Sequence, residues 1–156
     1  MDDKDLLLLD ALQEDASRKL DELAKLLRLV PSSVHDRIRR LTQRGVIRRW
    51  TIKVDHAALD LNTLAFIGIK ASRPCAEMLA PLKSLPAIEE CHSVAGSLSL
   101  LLKVRVPHTA DLMQLTEELR RIPGVESTET TIVLKSQLDR HSRVTKGAAT
   151  TKKRTI

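Results

Sequence analysis

Hydrophobic residues near the start of the chain recur with the period of an α-helix. Leu8, Leu9 and Leu12 lie on one side of a helix that the pattern predicts from about Asp3 to Gln13. A second apolar stripe runs from Leu20 to Leu27 and predicts a second, short helix. Together they form the start of a small helical domain.

A third helix follows, and its ends carry their own signals. Pro31 suits the first turn, where its missing N–H costs nothing, and Gly45 suits the C-terminal stop. The third helix begins about three residues after the second one ends, which is the spacing of a helix-turn-helix.

The period changes to two after Gly45. Val46, Arg48 and Trp50 alternate with Ile47 and Arg49, which predicts a strand or hairpin wing reaching residue 54. Residues 55–62 (DHAALDLN) follow, and we interpret them as a linker.

Residues 63–138 predict the order strand, helix, strand, strand, helix, strand. The segments are LAFIGIKAS, CAEMLAPLKSL, IEECHSVAG, LSLLLKVRV, TADLMQLTEELRRI and VESTETTIVL. This order implies a four-stranded antiparallel sheet with both helices on one face. Pro81 is expected to interrupt the first of these helices, and the last strand needs an adjustment of register. Apolar residues on both faces of LSLLLKV predict that the other sheet face pairs with a second copy, giving at least a homodimer.

Positive charge is concentrated in two places. The chain carries a net charge of +6, and residues 28–49 hold seven arginines against the single acid Asp36. Residues 139–156 have no apolar period, and we expect a basic tail that is disordered unless bound. Local basic clusters in an otherwise balanced chain favour a polyanionic partner.

Few other classes of function fit the composition. Aromatic residues amount to 1% of the chain, so stacking platforms for single-stranded nucleic acids are absent. Two cysteines indicate a reducing compartment, and neither a signal peptide nor a membrane span is predicted, which favours a cytoplasmic protein. The five histidines and two cysteines lack metal-like spacing, so we expect no metal and no cofactor.

The arginines of the third helix share one side of it. A helical wheel places Val34, Ile38 and Leu41 on a buried stripe, with the polar residues opposite. We predict a DNA-binding surface made of Ser32, Ser33, His35, Asp36, Arg39, Arg40, Gln43 and Arg44, flanked by Arg48 and Arg49. Arginine suits guanine edges or phosphate, and glutamine suits adenine or phosphate, so double-stranded DNA is the expected partner. A solvated helix face is the alternative interpretation.

Arg37 lies beside the buried stripe, so we expect mainly a structural role. Asp10, Asp21 and Glu22 are the acids with which we expect it to pair.

The chain resembles the Lrp/AsnC (feast/famine) transcriptional regulators over about residues 3–138. Three segments carry the likeness: LxxLQxD from Leu9, ELA from Glu22, and LVPSSVHDRIRRLTQRGVI; HSVAGSLSLLLKVRV and IPGVESTETTIVL add the C-terminal half. The resemblance implies an α+β fold: a winged helix-turn-helix (1–54), a linker (55–62) and a βαββαβ domain (63–138). The resemblance further implies that the second domain is ferredoxin-like and ACT-like, that it binds an effector, and that it supports dimers that often assemble into octamers. It also implies that an amino acid regulates activity.

Two departures from the family pattern affect the expected sites. Arg28 and Val30 stand where the family usually has glycine and serine, so Ser32 or Ser33 is expected to cap the third helix. The usual acidic residue after Gly96 is missing, which leaves an α-amino group without its carboxylate partner. The expected effector site comprises Val94, Ala95, Gly96, Ser97, Leu98 and Ser99.

Two other functions stay open at this point. One is a ligand-sensing oligomeric module that does not bind DNA, as the altered turn at Arg28 to Val30 allows. The other is an enzyme similar to sirohaem decarboxylases, for which His92 or His108 would be the proton donor. No nucleophile elbow, phosphate loop or paired-carboxylate signature supports an enzyme, and we expect a regulator.

Overall fold

The computed structural model describes residues 1–139, and most of the predicted basic tail, residues 140–156, lies outside the described residues. The chain forms two compact units. The first contains residues 1–52 together with Leu138 and Asp139, and the second contains residues 53–137.

The first unit is helical: α1 (Asp3–Glu14), α2 (Leu20–Leu27) and α3 (Pro31–Gln43). Its core consists of aliphatic side chains from all three helices: Leu8, Ala11, Leu12, Leu23, Ala24, Leu27, Val34 and Leu41. The predicted stripes are the residues that pack, because helical spacing puts them on one side.

Each end of α3 follows from one residue. Pro31 occupies the first turn of the helix, where a missing N–H leaves no hydrogen bond broken. Gly45 has φ of +69°, and beyond it the N–H of Val46 donates to the carbonyl of Leu41 at 2.9 Å. This left-handed turn closes the helix as the sequence predicts.

The predicted strand over residues 46–54 is wrong for the described chain. Residues 46–55 contain no helix and no strand. A strand needs hydrogen-bonded pairing, and this segment finds no neighbouring strand within residues 1–139. Trp50 and Ile52 consequently remain exposed.

The second unit has the predicted βαββαβ order. After a short 3₁₀ turn (Ala57–Leu59) come β1 (Thr63–Ala71), α4 (Cys75–Lys83), β2 (Ile88–Ser93), β3 (Leu100–Val106), α5 (Thr109–Arg121) and β4 (Val125–Ile132). The antiparallel sheet has the strand order β2-β3-β1-β4. The expected shift of register occurs where β1 pairs with β4, between Lys70 and Ala71. The expected interruption at Pro81 does not occur: Pro81 lies inside α4, which continues to Lys83.

The core of the second unit lies on one side of the sheet. Alternate residues of β1 and β3, such as Ile67 and Leu102, are fully buried there against Met78 of α4 and Leu115 of α5. We call the opposite side, which carries Leu64, Phe66, Gly68, Leu101, Lys103 and Arg105, the outer face.

None of the helices in residues 1–139 combines the length and the apolarity that a membrane crossing requires.

Candidate nucleic-acid interface

Helix α3 has the orientation that the helical wheel predicts. Val34 and Leu41 are fully buried, and Ile38 packs against the same core while partly exposed. These three residues fix the rotation of the helix about its axis, so the polar side faces solvent.

Nine of the ten residues predicted to bind DNA are exposed, and Ser33 is half-buried. The exposed set is Ser32, His35, Asp36, Arg39, Arg40, Gln43, Arg44, Arg48 and Arg49. Eight of the ten belong to α3 or its C-cap, and the last two follow the left-handed turn at Gly45. The polar residues of α3 therefore lie at the surface of the first unit, and Arg48 and Arg49 follow them as exposed side chains.

Arg39 is an exposed side chain with a local partner. Its guanidinium lies 3.1 Å from the carboxylate of Asp36 in an i,i+3 pair, and both side chains are more than 60% exposed (63% and 64%). Exposed pairs of this kind contribute only about 0.2–1 kcal/mol. Arg39 can leave Asp36 for a stronger anion at little cost.

Arg37 has the structural role that we expected, but with different partners. Its Nη1 donates to Asp2 at 2.8 Å and to Asp5 at 2.6 Å, and neither Asp10, Asp21 nor Glu22 is involved. The expectation rested on the position of Arg37 on the helical wheel of α3. A helical wheel does not show how the start of α1 reaches α3. Arg37 therefore joins the first turn of α1 to α3.

Arg40 shares the Asp5 carboxylate with Arg37. Its Nη2 lies 3.1 Å from Asp5 Oδ1, while half of its side chain (51%) remains exposed. Asp2 and Asp5 form a reciprocal capping box at the start of α1. The arginines of α3 thus contact two carboxylates that the sequence reasoning missed. Both belong to the acidic start of the chain, MDDKD, which could have indicated them.

The pKa of Asp5 is set by opposing effects. Burial raises this pKa, whereas the hydrogen bonds from the N–H of Asp2 and from Arg37 lower it by more than burial raises it. The net pKa therefore lies below the ordinary value. Asp5 is therefore ionised at neutral pH, as its pairing with two arginines requires.

The expected serine cap of α3 is wrong. The N-cap residue is Val30, whose side chain has no oxygen to accept a hydrogen bond, and α3 has no side-chain cap. The cap position is fixed by Pro31, which takes the first helical position and places both serines inside the first turn. The hydroxyls of Ser32 and Ser33 are therefore not used in capping.

Arg28 adopts a conformation that usually belongs to glycine. It ends α2 with φ of 53° and ψ of 54°, the left-handed region. An open surface groove beside it is also lined by Lys25, Val30 and Ser33. Lys25 is a further basic side chain near the α2–α3 turn that sequence reasoning did not select.

The loop predicted to hold the effector lies between β2 and β3. Gly96 has φ of +137°, and the N–H of Val94 donates to the carbonyl of Ser99 at 3.1 Å, which closes the loop. Ala95, Gly96 and Ser97 are exposed. The apex of the loop therefore presents small residues to solvent.

Two members of the predicted effector site also have contacts within the fold. The hydroxyl of Ser99 accepts from the N–H of Ala71 at 3.1 Å, and its own N–H donates to Ile69 at 2.8 Å. Leu98 covers Gly68 on the outer face, where an added Cβ would lie 2.5 Å from Leu98 Cδ1. Of the two serines in the loop, Ser97 is exposed and Ser99 is half-buried.

Titratable groups of β2 and β3 form a connected network at the surface, in which His56 lies 3.6 Å from Glu89 and His92 lies 2.9 Å from Glu90. Glu89 accepts from Arg105 at 2.7 Å, and Lys103 bridges Glu89 and Glu90. Burial raises the pKa of Glu89, but Arg105 and Lys103 lower it more, with a net decrease. Across residues 1–139, no three or more His, Cys, Asp and Glu side chains are grouped to hold a metal ion.

Comparison with protein families agrees with both units. Residues 64–142 match the model described as the Lrp/AsnC ligand binding domain, and residues 1–48 match a winged helix-turn-helix DNA-binding model. The HTH-type transcriptional regulator FL11 of Pyrococcus furiosus is 36% identical over 136 residues, 86% of this chain and 90% of that protein. The leucine-responsive regulatory protein of Salmonella typhimurium is 35% identical over 132 residues, 81% of this chain and 80% of that protein.

Solved structures show the same fold. AsnC of E. coli aligns with a TM-score of 0.84 at 30% identity, covering 92% of this chain and 98% of that one. The feast or famine regulatory protein from M. tuberculosis, complexed with L-methionine, aligns with a TM-score of 0.86 at 32% identity, covering 92% and 99%.

Proposed function

Because the chain belongs to the Lrp/AsnC family of DNA-binding transcriptional regulators whose activity a small molecule modulates, we propose that the exposed face of α3 reads duplex DNA. One observation carries the proposal: α3 buries Val34 and Leu41 and leaves Arg39, Gln43 and Arg44 in solvent. A helix that is held on one side and basic on the other fits a major groove.

The residues of the interface divide by what each can contact. Arg39, Arg40 and Gln43 are the candidates for base edges, since their side chains can make paired hydrogen bonds to guanine or adenine. Ser32, Ser33, His35, Asp36 and Arg44 border them on α3, and Arg48 and Arg49 would hold the adjacent phosphates. Lys25 and Arg28 extend the same basic surface toward the α2–α3 turn.

We propose that an amino acid is the small molecule, bound near residues 94–99. The related M. tuberculosis regulator, 32% identical, was solved with L-methionine. In this chain the exposed Ser97 and the backbone of the glycine turn can donate to a carboxylate. Since no acidic residue follows Gly96 in the loop, the carboxylate and side chain of the ligand would contribute more than its ammonium group.

The proposed regulator acts as a homodimer or a larger assembly such as an octamer. The outer face of the sheet carries Phe66, 37% exposed, together with the half-buried Leu64, Leu98 and Leu101. Pairing this face with a second copy would remove the apolar side chains from water. A dimer would present two α3 helices to half-sites about one helical turn apart, ~34 Å, or multiples of it. We place its action in the cytoplasm, beside the chromosome that it regulates.

The experiment is a gel shift with matched arginine variants. The probe is a duplex that the wild-type chain selects from a random-sequence pool. Arg39→Ala should weaken binding about 10-fold or more, the value of one good base contact. Arg121→Ala is the control, since Arg121 is also exposed (76%) and also has an intrahelical partner, Glu117, but lies on α5.

Equal losses for the two variants would contradict the assignment of the site. Failure of the wild-type chain to enrich any sequence would favour the ligand-sensing module that does not bind DNA. The curated relatives above are regulators, and no feature of the described residues favours an enzyme over them.

A further inference from the structure

Asp5 is the one charged residue among residues 1–139 whose side chain is buried. Its carboxylate accepts three donors. Oδ1 accepts hydrogen bonds from Arg37 at 2.6 Å and from Arg40 at 3.1 Å, and Oδ2 accepts one from the N–H of Asp2 at 3.0 Å. A buried carboxylate with this many donors is fixed in place.

Arg37 and Arg40 use the carboxylate differently. Arg37 is 19% exposed and also donates to Asp2, so it satisfies both acids and completes the link between α1 and α3. Arg40 is 51% exposed and contributes longer contacts, 3.1 and 3.4 Å, from Nη2 alone. Among the described residues its Nε and Nη1 donate to no other group, so part of the guanidinium fork is available to a ligand.

The charges of the four groups cancel. Asp2 and Asp5 balance Arg37 and Arg40, whereas Gln43 and Arg44 stand outside the cluster. An arginine that is already neutralised attracts a phosphate less, but keeps the planar donors that match a base with two acceptors. The local charge therefore favours base contacts over backbone contacts at Arg40.

We propose that Asp5 is a positioning residue that holds Arg40 for a base edge with two acceptors, the pattern of guanine O6 and N7, and thereby sets sequence specificity. This inference rests on the proposed function. Asp5 does not touch DNA; it fixes the guanidinium before the duplex arrives and disfavours capture of Arg40 by phosphate.

The test measures specificity and not affinity alone. Fluorescence anisotropy gives the dissociation constants for the selected duplex and for a scrambled duplex of the same composition. Asp5→Asn should lower the ratio of the two affinities about 10-fold or more, the effect of one lost bidentate base contact. It should also tighten binding to the scrambled duplex, because one negative charge is removed.

Asp2→Asn is the matched control. It removes the same charge from the same cluster, but Asp2 contacts Arg37 and not Arg40. It should tighten binding to both duplexes equally and leave their ratio unchanged. In an Arg40→Ala background, Asp5→Asn should have no further effect on the ratio. If Asp5 had a purely structural role, Asp5→Asn would lower the ratio even without Arg40.

Asp5→Glu covers the case in which Asp5→Asn does not fold, as circular dichroism would reveal. It keeps the charge and a partner for Arg37 but moves the carboxylate relative to Arg40, so the ratio should fall. The inference is overturned if folded Asp5 variants keep the wild-type ratio, or if Asp5→Asn lowers the ratio as much without Arg40 as with it. A wild-type chain without sequence preference would instead refute the proposed function itself.

Discussion

At the scale of single residues, the contacts of the apolar side chains in the first unit were easier to predict than those of its acids and arginines. The apolar stripe of α3 was predictable from spacing alone, because Val34 and Leu41 repeat with the helical period. The pairing of Arg37 with Asp2 and Asp5 was not. Which acid meets which arginine depends on how α1 crosses α3, and a pattern within one helix does not contain that information.

Arg28 supplies a prediction about stability. The left-handed conformation costs a residue with a Cβ about 1–2 kcal/mol. Glycine removes this cost, but part of the gain is lost because glycine has more conformational freedom in the unfolded chain. Arg28→Gly should therefore stabilise the first unit by about 0.5–1 kcal/mol. Hydrogen exchange of the α2 and α3 amides in the full chain measures the change.

The control for Arg28 is Asp60→Gly, since Asp60 also has a positive φ, of 57°. Aspartate tolerates this region better than arginine, so the gain there should be smaller and confined to the second unit. Loss of stability in Arg28→Gly would show that its side chain contributes contacts that outweigh the backbone strain.

Asp5 supplies a prediction about pH. Its pKa is lower in the folded chain than its ordinary value, so its contribution to stability is present above about pH 4 and is lost as the pH falls through the folded pKa. Asp5→Asn should cost about 2 kcal/mol at neutral pH, since a hydrogen bond to charged groups is removed. The difference from wild type should shrink at about pH 3, as denaturant unfolding at both pH values would measure.

Asp36→Asn is the comparison for this pH effect, because it removes an exposed carboxylate from the same unit. We expect a change below about 0.5 kcal/mol at either pH. A constant difference between Asp5→Asn and wild type across this pH range would mean that the Asp5 carboxylate does not stabilise the fold.

At the scale of elements, the sequence predicted the sheet well and the loops less well. The segment LSLLLKVRV located β3, and alternate residues from Leu100 to Val106 are buried because a strand has only two faces, although Leu101 adds an apolar residue to the outer face. The segment over residues 46–54 alternates too, yet is not a strand in the described chain. Alternation predicts that a segment can pair, but the partner strand must come from elsewhere.

The effector loop shows the same limit. Ser99 was predicted to bind a ligand because serine hydroxyls suit carboxylates, and its hydroxyl also accepts the N–H of Ala71, a contact that the motif did not indicate. Leu98 likewise packs on Gly68. A motif locates the loop, whereas the roles of its residues depend on contacts with β1, which is distant in sequence.

Gly68→Ala tests the loop as an element. The new methyl group would meet Leu98 Cδ1 at 2.5 Å, so the Leu98 side chain must shift, while β1 keeps an ordinary backbone. Overpacking of this kind typically costs about 1–3 kcal/mol. We expect a change in the response of DNA binding to L-methionine, measured as the shift in affinity for the selected duplex.

Gly45→Ala is the control for this experiment, because nothing lies within 4 Å of a Cβ there and its φ is positive. It should strain the end of α3 and weaken DNA binding with and without L-methionine alike. An unaltered response in Gly68→Ala would mean that the position of Leu98 does not govern the effector site.

At the scale of the whole molecule, the outer face of the sheet has to meet a second copy for the proposed regulator to assemble. Phe66→Glu places a charge among apolar side chains, so the dimer should dissociate, as light scattering after size exclusion would show. Met113→Glu is the control, since Met113 is also an exposed apolar residue but belongs to α5, on the other side of the sheet. A monomeric wild type, or a Phe66→Glu variant that keeps its mass, would contradict this interface.

The central claim is that α3 and the residues after it bind a duplex through their basic side chains. If each subunit directs three or four arginines to phosphates, a dimer neutralises roughly six to eight charges. Titration of the selected duplex at increasing salt then gives a slope of log affinity against log salt of about −5 to −7. Arg48→Ala together with Arg49→Ala should reduce that slope by about 3 to 4 per dimer. A slope near zero for the wild-type chain, or one that the two substitutions leave unchanged, would contradict the account.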